Sequence, residues 1–189
     1  LYGKNFAQTV NGNVFIGNQA AAGAVIPIYN NTTQQCGIFN PAGSGVHVVP
    51  IRINFGYVST TGAAGSYALA YVNQGDAQIA TGSSGVTAAT QTTPINAKIG
   101  GPSSRVQFMS SAITTVAPTL LMQLGVNQLV TTATDATNMA NAHSYDFDGS
   151  LIVSPGVSLF VVGNIALLIR LAISVVWAEV PTGVENAGW

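Results

Sequence analysis

Residues 151–180 read LIVSPGVSLFVVGNIALLIRLAISVVWAEV, and how this apolar stretch divides decides what the chain can fold into. By hydropathy alone it would pass for a membrane span, which needs about 18 or more consecutive apolar residues. Gly163-Asn164 interrupts the run, however, and Arg170 stands in the middle of what remains. A charge at the centre of a bilayer costs about 2.5–3.5 kcal/mol on insertion scales. Periodicity accounts for the same residues better. Ile165, Leu167, Ile169, Leu171, Ile173, Val175 and Trp177 take alternate positions, with Ala166, Arg170, Ala172 and Ser174 between them. A period of two is a strand with one buried face. With Gly163-Asn164 as a two-residue turn, 158–162 is expected to pair with 165–180 as a hairpin.

The same alternation recurs upstream. In 46–59 the odd positions His47, Val49, Ile51, Ile53, Phe55 and Tyr57 are expected on one face, and Pro50 inside the run implies an edge strand or a bulge. Residues 66–72 put Tyr67, Leu69 and Tyr71 on one face against Ser66, Ala68 and Ala70. Further strands are expected at 105–116 and 144–153. Residues 119–130 fit a strand or a helix equally, and 134–143 fits a short capped helix. Residues 81–104, rich in Thr, Ser, Ala and Gly, read as a long loop of functional or interfacial character. Short strands separated by Gly, Pro, Asn and Ser clusters, without strand–helix–strand alternation, give an all-β fold. The expected architecture is an antiparallel, jelly-roll-like β-sandwich over 13–181. An extended N-terminal arm (1–12) precedes it and a C-terminal tail (182–189) follows.

Only 6% of the 189 residues are charged and the net charge is −1, against about 25% charged residues in ordinary domains. No basic patch is present to attract nucleic acid, so neither nucleic acid nor membrane is an expected partner. Ser, Thr, Asn and Gln replace the missing charges, and such a surface has little electrostatic protection against association. It suits a subunit packed against other protein. Cys36 is the sole cysteine, which excludes an intrachain disulfide and suggests a small buried hydrophobe. Leu1-Tyr2-Gly3-Lys4 does not open a secretory signal, so the Asn30 and Asn31 glycosylation patterns are read as chance.

Catalytic chemistry is not expected. The chain carries no phosphate loop, dinucleotide fingerprint or nucleophile elbow. His47 is placed on an apolar strand face and His143 at the end of a polar loop, which leaves few candidates for a general base. Asp146-Phe147-Asp148-Gly149 lacks the further oxygen ligands and distant Glu of a calcium loop, and Asp148-Gly149 reads as a tight turn. No metal or cofactor is expected. Arg52, Arg105 and Arg170 fall on expected strands with few charges nearby. Each is either an edge-protecting charge or a bidentate contact to a carboxylate across a subunit interface.

The C-terminal portion has a distinctive order: Tyr145-Asp146-Phe147-Asp148-Gly149-Ser150-Leu151-Ile152-Val153, Ser154-Pro155-Gly156, then Ser174-Val175-Val176-Trp177-Ala178-Glu179-Val180-Pro181. These residues resemble the end of small jelly-roll virion proteins of tailed bacteriophages, in which D-G-S-L-x-V-x-P-G precedes a segment closing on W-x-E-x-P. The resemblance covers about forty residues; the remainder matches only in its charge-poor, Gly-, Ala-, Thr- and Asn-rich character. It implies a non-enzymatic decoration (cement) or minor capsid protein on the outer surface of the virion, a homotrimer bound to the major capsid protein. It supplies no catalytic residue. A tail or spike module binding a host-surface glycan or receptor is the competing expectation. The expected burial of Phe55, Tyr57, Tyr67, Tyr71 and Trp177 disfavours it, because sugar sites commonly use exposed aromatic faces.

Overall fold

A computed structural model describes residues 5–19, 23–26, 35–59, 65–73, 86–114, 118–127, 143–164 and 170–183. A five-residue helix α1 (Phe6–Val10) leads into β1 (Val14–Asn18), β2 (Ala24–Val25), β3 (Gln35–Asn40), β4 (Val46–Ser59) and β5 (Gly65–Asn73). There follow β6 (Val86–Thr92), β7 (Ile95–Asn96), β8 (Gln107–Thr114), β9 (Thr119–Asn127), β10 (His143–Asp146), β11 (Val157–Gly163) and β12 (Arg170–Pro181). Sheet A runs β10-β4-β12-β1-β7, with β2 also paired to β12; sheet B runs β6-β8-β3-β11-β5-β9.

These orders define a jelly roll. Eight of the strands nest in pairs: β1 with β12, β3 with β11, β4 with β10 and β5 with β9. The path is that of one long antiparallel hairpin folded over on itself. The pairings β4–β12 and β5–β11 then join the nested pairs into two packed sheets. Between β5 and β9, strands β6, β7 and β8 widen the sandwich, β7 lying beside β1 and β8 beside β3.

The core lies between the sheets. On β12 the alternation is as expected: Leu171, Ile173, Val175 and Trp177 are buried and Arg170 is exposed. Trp177 lies opposite Phe15 at a centroid distance of 6.3 Å, and Phe55 of sheet A meets Tyr67 of sheet B at 5.0 Å. On β5, Tyr67 and Leu69 join the inner cluster with Tyr71 packed against it. Ala68, Ala70 and Val72 turn to the other face, where they meet Phe39, Met109, Ala112, Phe160 and Val162 in a second buried cluster. Sheet B is therefore apolar on both sides, which is why β11 is a nearly continuous hydrophobic run. Cys36 is buried, as its lone occurrence suggests, and burial pushes its thiol pKa well up.

Several sequence expectations are corrected. The hairpin does not form: β11 belongs to sheet B and β12 to sheet A, so the chain crosses between sheets after Gly163-Asn164. Asn164 instead ends β11 against β5, donating from its backbone to Ser66 and accepting the Ser66 N–H on its side chain. Ile165, Leu167 and Ile169 lie outside the described residues, as does all of the expected helix at 134–143 except His143, which opens β10. Residues 119–127 are a strand. The expected loop at 81–104 contains β6 and β7. Part of the expected extended arm is α1, closed by hydrogen bonds from Asn11 to Ala7 and from Asn13 to Gln8.

Strand β4 contains the bulge implied by Pro50, but it is central, between β10 and β12. Trp177 pairs with Pro50 and Val176 with Arg52, so Ile51 is the extra residue. The alternation switches there. Val46, Val48 and Pro50 are buried before the bulge, and Ile53 and Phe55 after it. His47, Val49 and Ile51 are consequently only half-buried, and His47 is not on the inner face.

Candidate functional site

The bulge shapes the outer face of sheet A. With Ile51 displaced, Ile51 and Val49 of β4 and Val176, Ala178 and Val180 of β12 form an aliphatic floor. Helix α1 stands on one side through Asn5, Gln8 and Thr9; Arg52, Asp146 and Asp148 stand on the other. Two concavities of about 550 and 210 Å³ share Asn5, Ile51 and Asp148 and make one groove. The larger falls within the roughly 300–1,000 Å³ typical of small-molecule sites.

The polar rim is held by its own sequence logic. Phe147 donates its N–H to Ile51, extending the β10–β4 pairing by one residue. Asp148 (φ 49°) and Gly149 (φ 80°) then form the tight turn expected at this dipeptide, closed by Ser150 N–H to the Phe147 carbonyl. Two positive φ values in succession are the mark of a type I′ turn, which Asp-Gly accommodates. Asp148 is the one non-glycine residue with positive φ among the described residues. Arg52 and Asp146 face each other across paired positions of β4 and β10 and bond in bidentate fashion, Nε to Oδ1 at 2.6 Å and Nη2 to Oδ2 at 3.2 Å. The Asp146 carboxylate raises the Arg52 pKa through this hydrogen bond and its charge.

The three arginines singled out by sequence thus separate. Arg52 meets the carboxylate that its chemistry called for, but the partner is Asp146 of the same chain rather than a neighbouring subunit. Arg105 lies just before β8 and is exposed, and Arg170 begins β12 and is exposed. The structure brings no two of them together in one site. The groove residues Asn5 and Thr9 were missed because they sit in a polar segment without periodicity. Only Pro50, as a bulge signal, and Asp148-Gly149, as a turn signal, mark its position in the sequence.

A second polar cluster is internal. Glu179, buried next to Trp177, accepts hydrogen bonds from Ser104 Oγ, from the Arg105 N–H at 3.1 Å and from Trp177 Nε1 at 3.3 Å. Its own N–H donates to the Asn13 carbonyl. Asn96, also buried, donates to the carbonyls of Gly12 and Pro102 and accepts from the Lys98 N–H. Together they fasten the segment leading to β8 against the N-terminal strand. All donors to the Glu179 carboxylate are protein groups already in place, so this cluster is a structural lock.

A third feature is apolar. A cleft of about 240 Å³ beside the start of β11 is lined by Tyr71, Leu121, Leu151, Ile152, Val153, Val157 and Leu159 with Asn73 and Ser154, and by no charged residue among the described ones. Leu121 and Ile152, which line it, are 40% and 60% exposed. Among the described residues, no group of three or more His, Cys, Asp or Glu side chains is placed to hold a metal ion. No helix among them is long and apolar enough to cross a membrane.

Fold and surface define a jelly-roll β-sandwich with a mixed polar–aliphatic groove on one sheet and a largely apolar cleft elsewhere. Comparison with protein-family models, with curated proteins and with solved structures finds no match.

Proposed function

We propose that this chain is a non-enzymatic virion structural protein, a decoration or cement protein that binds the major capsid protein on the outer capsid surface as a homotrimer. The observation that carries this reading is the exposed aliphatic pair Leu121 and Ile152 lining a largely apolar cleft with no charged residue among the described ones. Exposed apolar surface that is contiguous with a concavity marks a protein contact site rather than scattered surface hydrophobes. In a chain with 6% charged residues, burying such a patch desolvates few charges. The jelly-roll fold is shared by capsid and lectin domains and is compatible with this role. The C-terminal resemblance, with Trp177 and Glu179 hydrogen-bonded to each other at the core, supports the same class. A protein that binds the assembled shell and not its free subunits stabilises the shell by mass action, and trimeric attachment multiplies weak contacts.

Electron microscopy of the particles that carry this chain tests the proposal. Many copies bridging capsid subunits, with the Leu121–Ile152 cleft at the contact, are expected. Leu121→Asp and Ile152→Asp should each abolish particle binding while leaving the circular dichroism spectrum unchanged. A few copies at a tail tip would overturn the reading.

A further inference from the structure

We infer that α1 is a hinged strap. The segment 5–11 swings about Gly12 while the sandwich stays folded, and so opens and closes one wall of the groove on sheet A. The apolar cleft is a separate surface, so the strap works whatever that cleft binds.

Hydrogen bonding changes character at Gly12. The bonds of Asn5, Ala7, Gln8, Thr9 and Asn11 all close within 5–13. The Thr9 N–H and hydroxyl donate to the Asn5 carbonyl, Asn11 N–H to Ala7, Gly12 N–H to Thr9 and Asn13 N–H to Gln8. Asn13 Nδ2 also donates to Gln8 Oε1 at 3.2 Å. From the Gly12 carbonyl onward the chain is bonded to the sandwich instead. The carbonyls of Gly12, Asn13 and Val14 accept from Asn96 Nδ2, Glu179 N–H and Ala97 N–H, each at 2.8 Å. Burial changes at the same place. No residue of α1 is buried and Val10 is 48% exposed, whereas Gly12, Val14 and Phe15 are buried. The pivot has a φ of 77°, which glycine reaches without strain, and a Cβ there would meet Pro102 Cδ at 3.0 Å.

Little holds the strap closed. Five residues are far fewer than the roughly 12–15 at which a helix becomes even marginally stable alone. Asn5 at the N-cap makes no side-chain capping bond, and no acidic residue in the first turn or basic residue in the last favours the helix dipole. A segment with few buried side chains and exposed backbone hydrogen bonds opens locally, at a free energy well below that of global unfolding. What opening uncovers is defined by the closed state. Asn5 and Thr9 wall the larger concavity, and Asn5 and Gln8 the smaller. The floor beside them consists of Val49, Ile51, Val176 and Val180, all half-buried. With the strap swung out, that wall is gone and the aliphatic face of sheet A is open from the side. The stability of one short helix thereby sets access to this face.

Amide hydrogen exchange of the isotope-labelled full chain, in urea below the unfolding transition, tests the strap. After correction for intrinsic rates, the Thr9 and Asn11 amides should exchange at least about a hundredfold faster than the Glu179 amide, and without dependence on urea. Asn13→Ala removes the side-chain bond to Gln8 and should quicken the Thr9 and Asn11 amides about three- to tenfold, the worth of one hydrogen bond. Val10→Ala, at an exposed helix position where alanine is favoured, should slow them about twofold. Neither variant should move the Glu179 amide. In a chain carrying Cys36→Ala and Val180→Cys, adding Asn13→Ala should quicken thiol labelling at the floor by the same factor as the amides. The strap is overturned if the Thr9 and Asn11 amides exchange at the Glu179 rate with the same urea dependence. It is equally overturned if the two variants do not move exchange in opposite directions, or if labelling of the floor is indifferent to Asn13→Ala.

Discussion

At the scale of single residues, the positions with most influence are buried polar groups. Glu179 places its carboxyl group in the core beside Trp177, where three donors bond to it while its backbone N–H donates to the Asn13 carbonyl. Removing a carboxylate that satisfies buried donors leaves those donors desolvated, which costs more than the net worth of the bonds themselves. Glu179→Ala is expected to lose about 1–3 kcal/mol or more in urea titration, with faster amide exchange at Arg105. Ser158 presents the opposite case. Its hydroxyl is buried with no hydrogen-bond partner among the described residues, so Ser158→Ala should be neutral or stabilising by up to about 1 kcal/mol. Cys36 and Tyr67 set the alkaline limit. Burial raises both pKa values, so the folded state retains protons that the unfolded chain releases. Stability from these groups is complete below the unfolded values and falls as pH rises above about 8.5 for the thiol and about 10 for the phenol. Cys36→Ala should abolish the first part of that decline in a pH series of denaturation midpoints, and native Cys36 should resist thiol reagents at neutral pH.

At the scale of elements, what could be read in the sequence follows from how strongly a strand's two faces differ. β12 and β5 were legible because large apolar side chains alternate with small or polar ones, and the structure buries Ile173 and Leu69 accordingly. β6 was not legible, because Val-Thr-Ala-Ala-Thr-Gln-Thr contains no large apolar alternation and is set by pairing with β8. The pairing of β11 was misread for a different reason. A Gly-Asn dipeptide between apolar runs signals a chain reversal, but it does not say whether the next strand returns in the same sheet or the opposite one. That choice is made by partners far away in sequence: β3 and β5 for β11, β4 and β1 for β12. The groove was partly legible for the same reason. Pro50 and Asp148-Gly149 announce local irregularity, whereas the approach of α1 to Ile51 is a tertiary fact. The tightness of the β3–β11 pairing gives a direct check. A Cβ on Gly37 would lie 1.9 Å from the Leu159 carbonyl oxygen, which is backbone and cannot move aside. Gly37→Ala should therefore cost about 3 kcal/mol or more, through strain in the sheet, and Ile173→Ala about 2–5 kcal/mol through a cavity. Denaturant titrations at constant m-value would report both.

At the scale of the whole molecule, the scarcity of charge governs solution behaviour. With 6% charged residues and a net charge of −1, long-range repulsion between copies is weak. The Arg52–Asp146 pair is about half exposed and open to screening. Two consequences can be separated by salt. Folding stability should be nearly the same in dilute buffer and in molar sodium chloride, because little of it is electrostatic. Self-association, driven by apolar and neutral polar surface, should persist or strengthen at high salt. Sedimentation velocity of the purified chain is therefore expected to show a homo-oligomer, a trimer on the C-terminal resemblance, whose mass does not fall as sodium chloride is raised. A monomer at micromolar concentration, or an oligomer that dissociates with salt, would show that charge rather than neutral surface controls its contacts, and the basis for reading it as an assembly subunit would be lost.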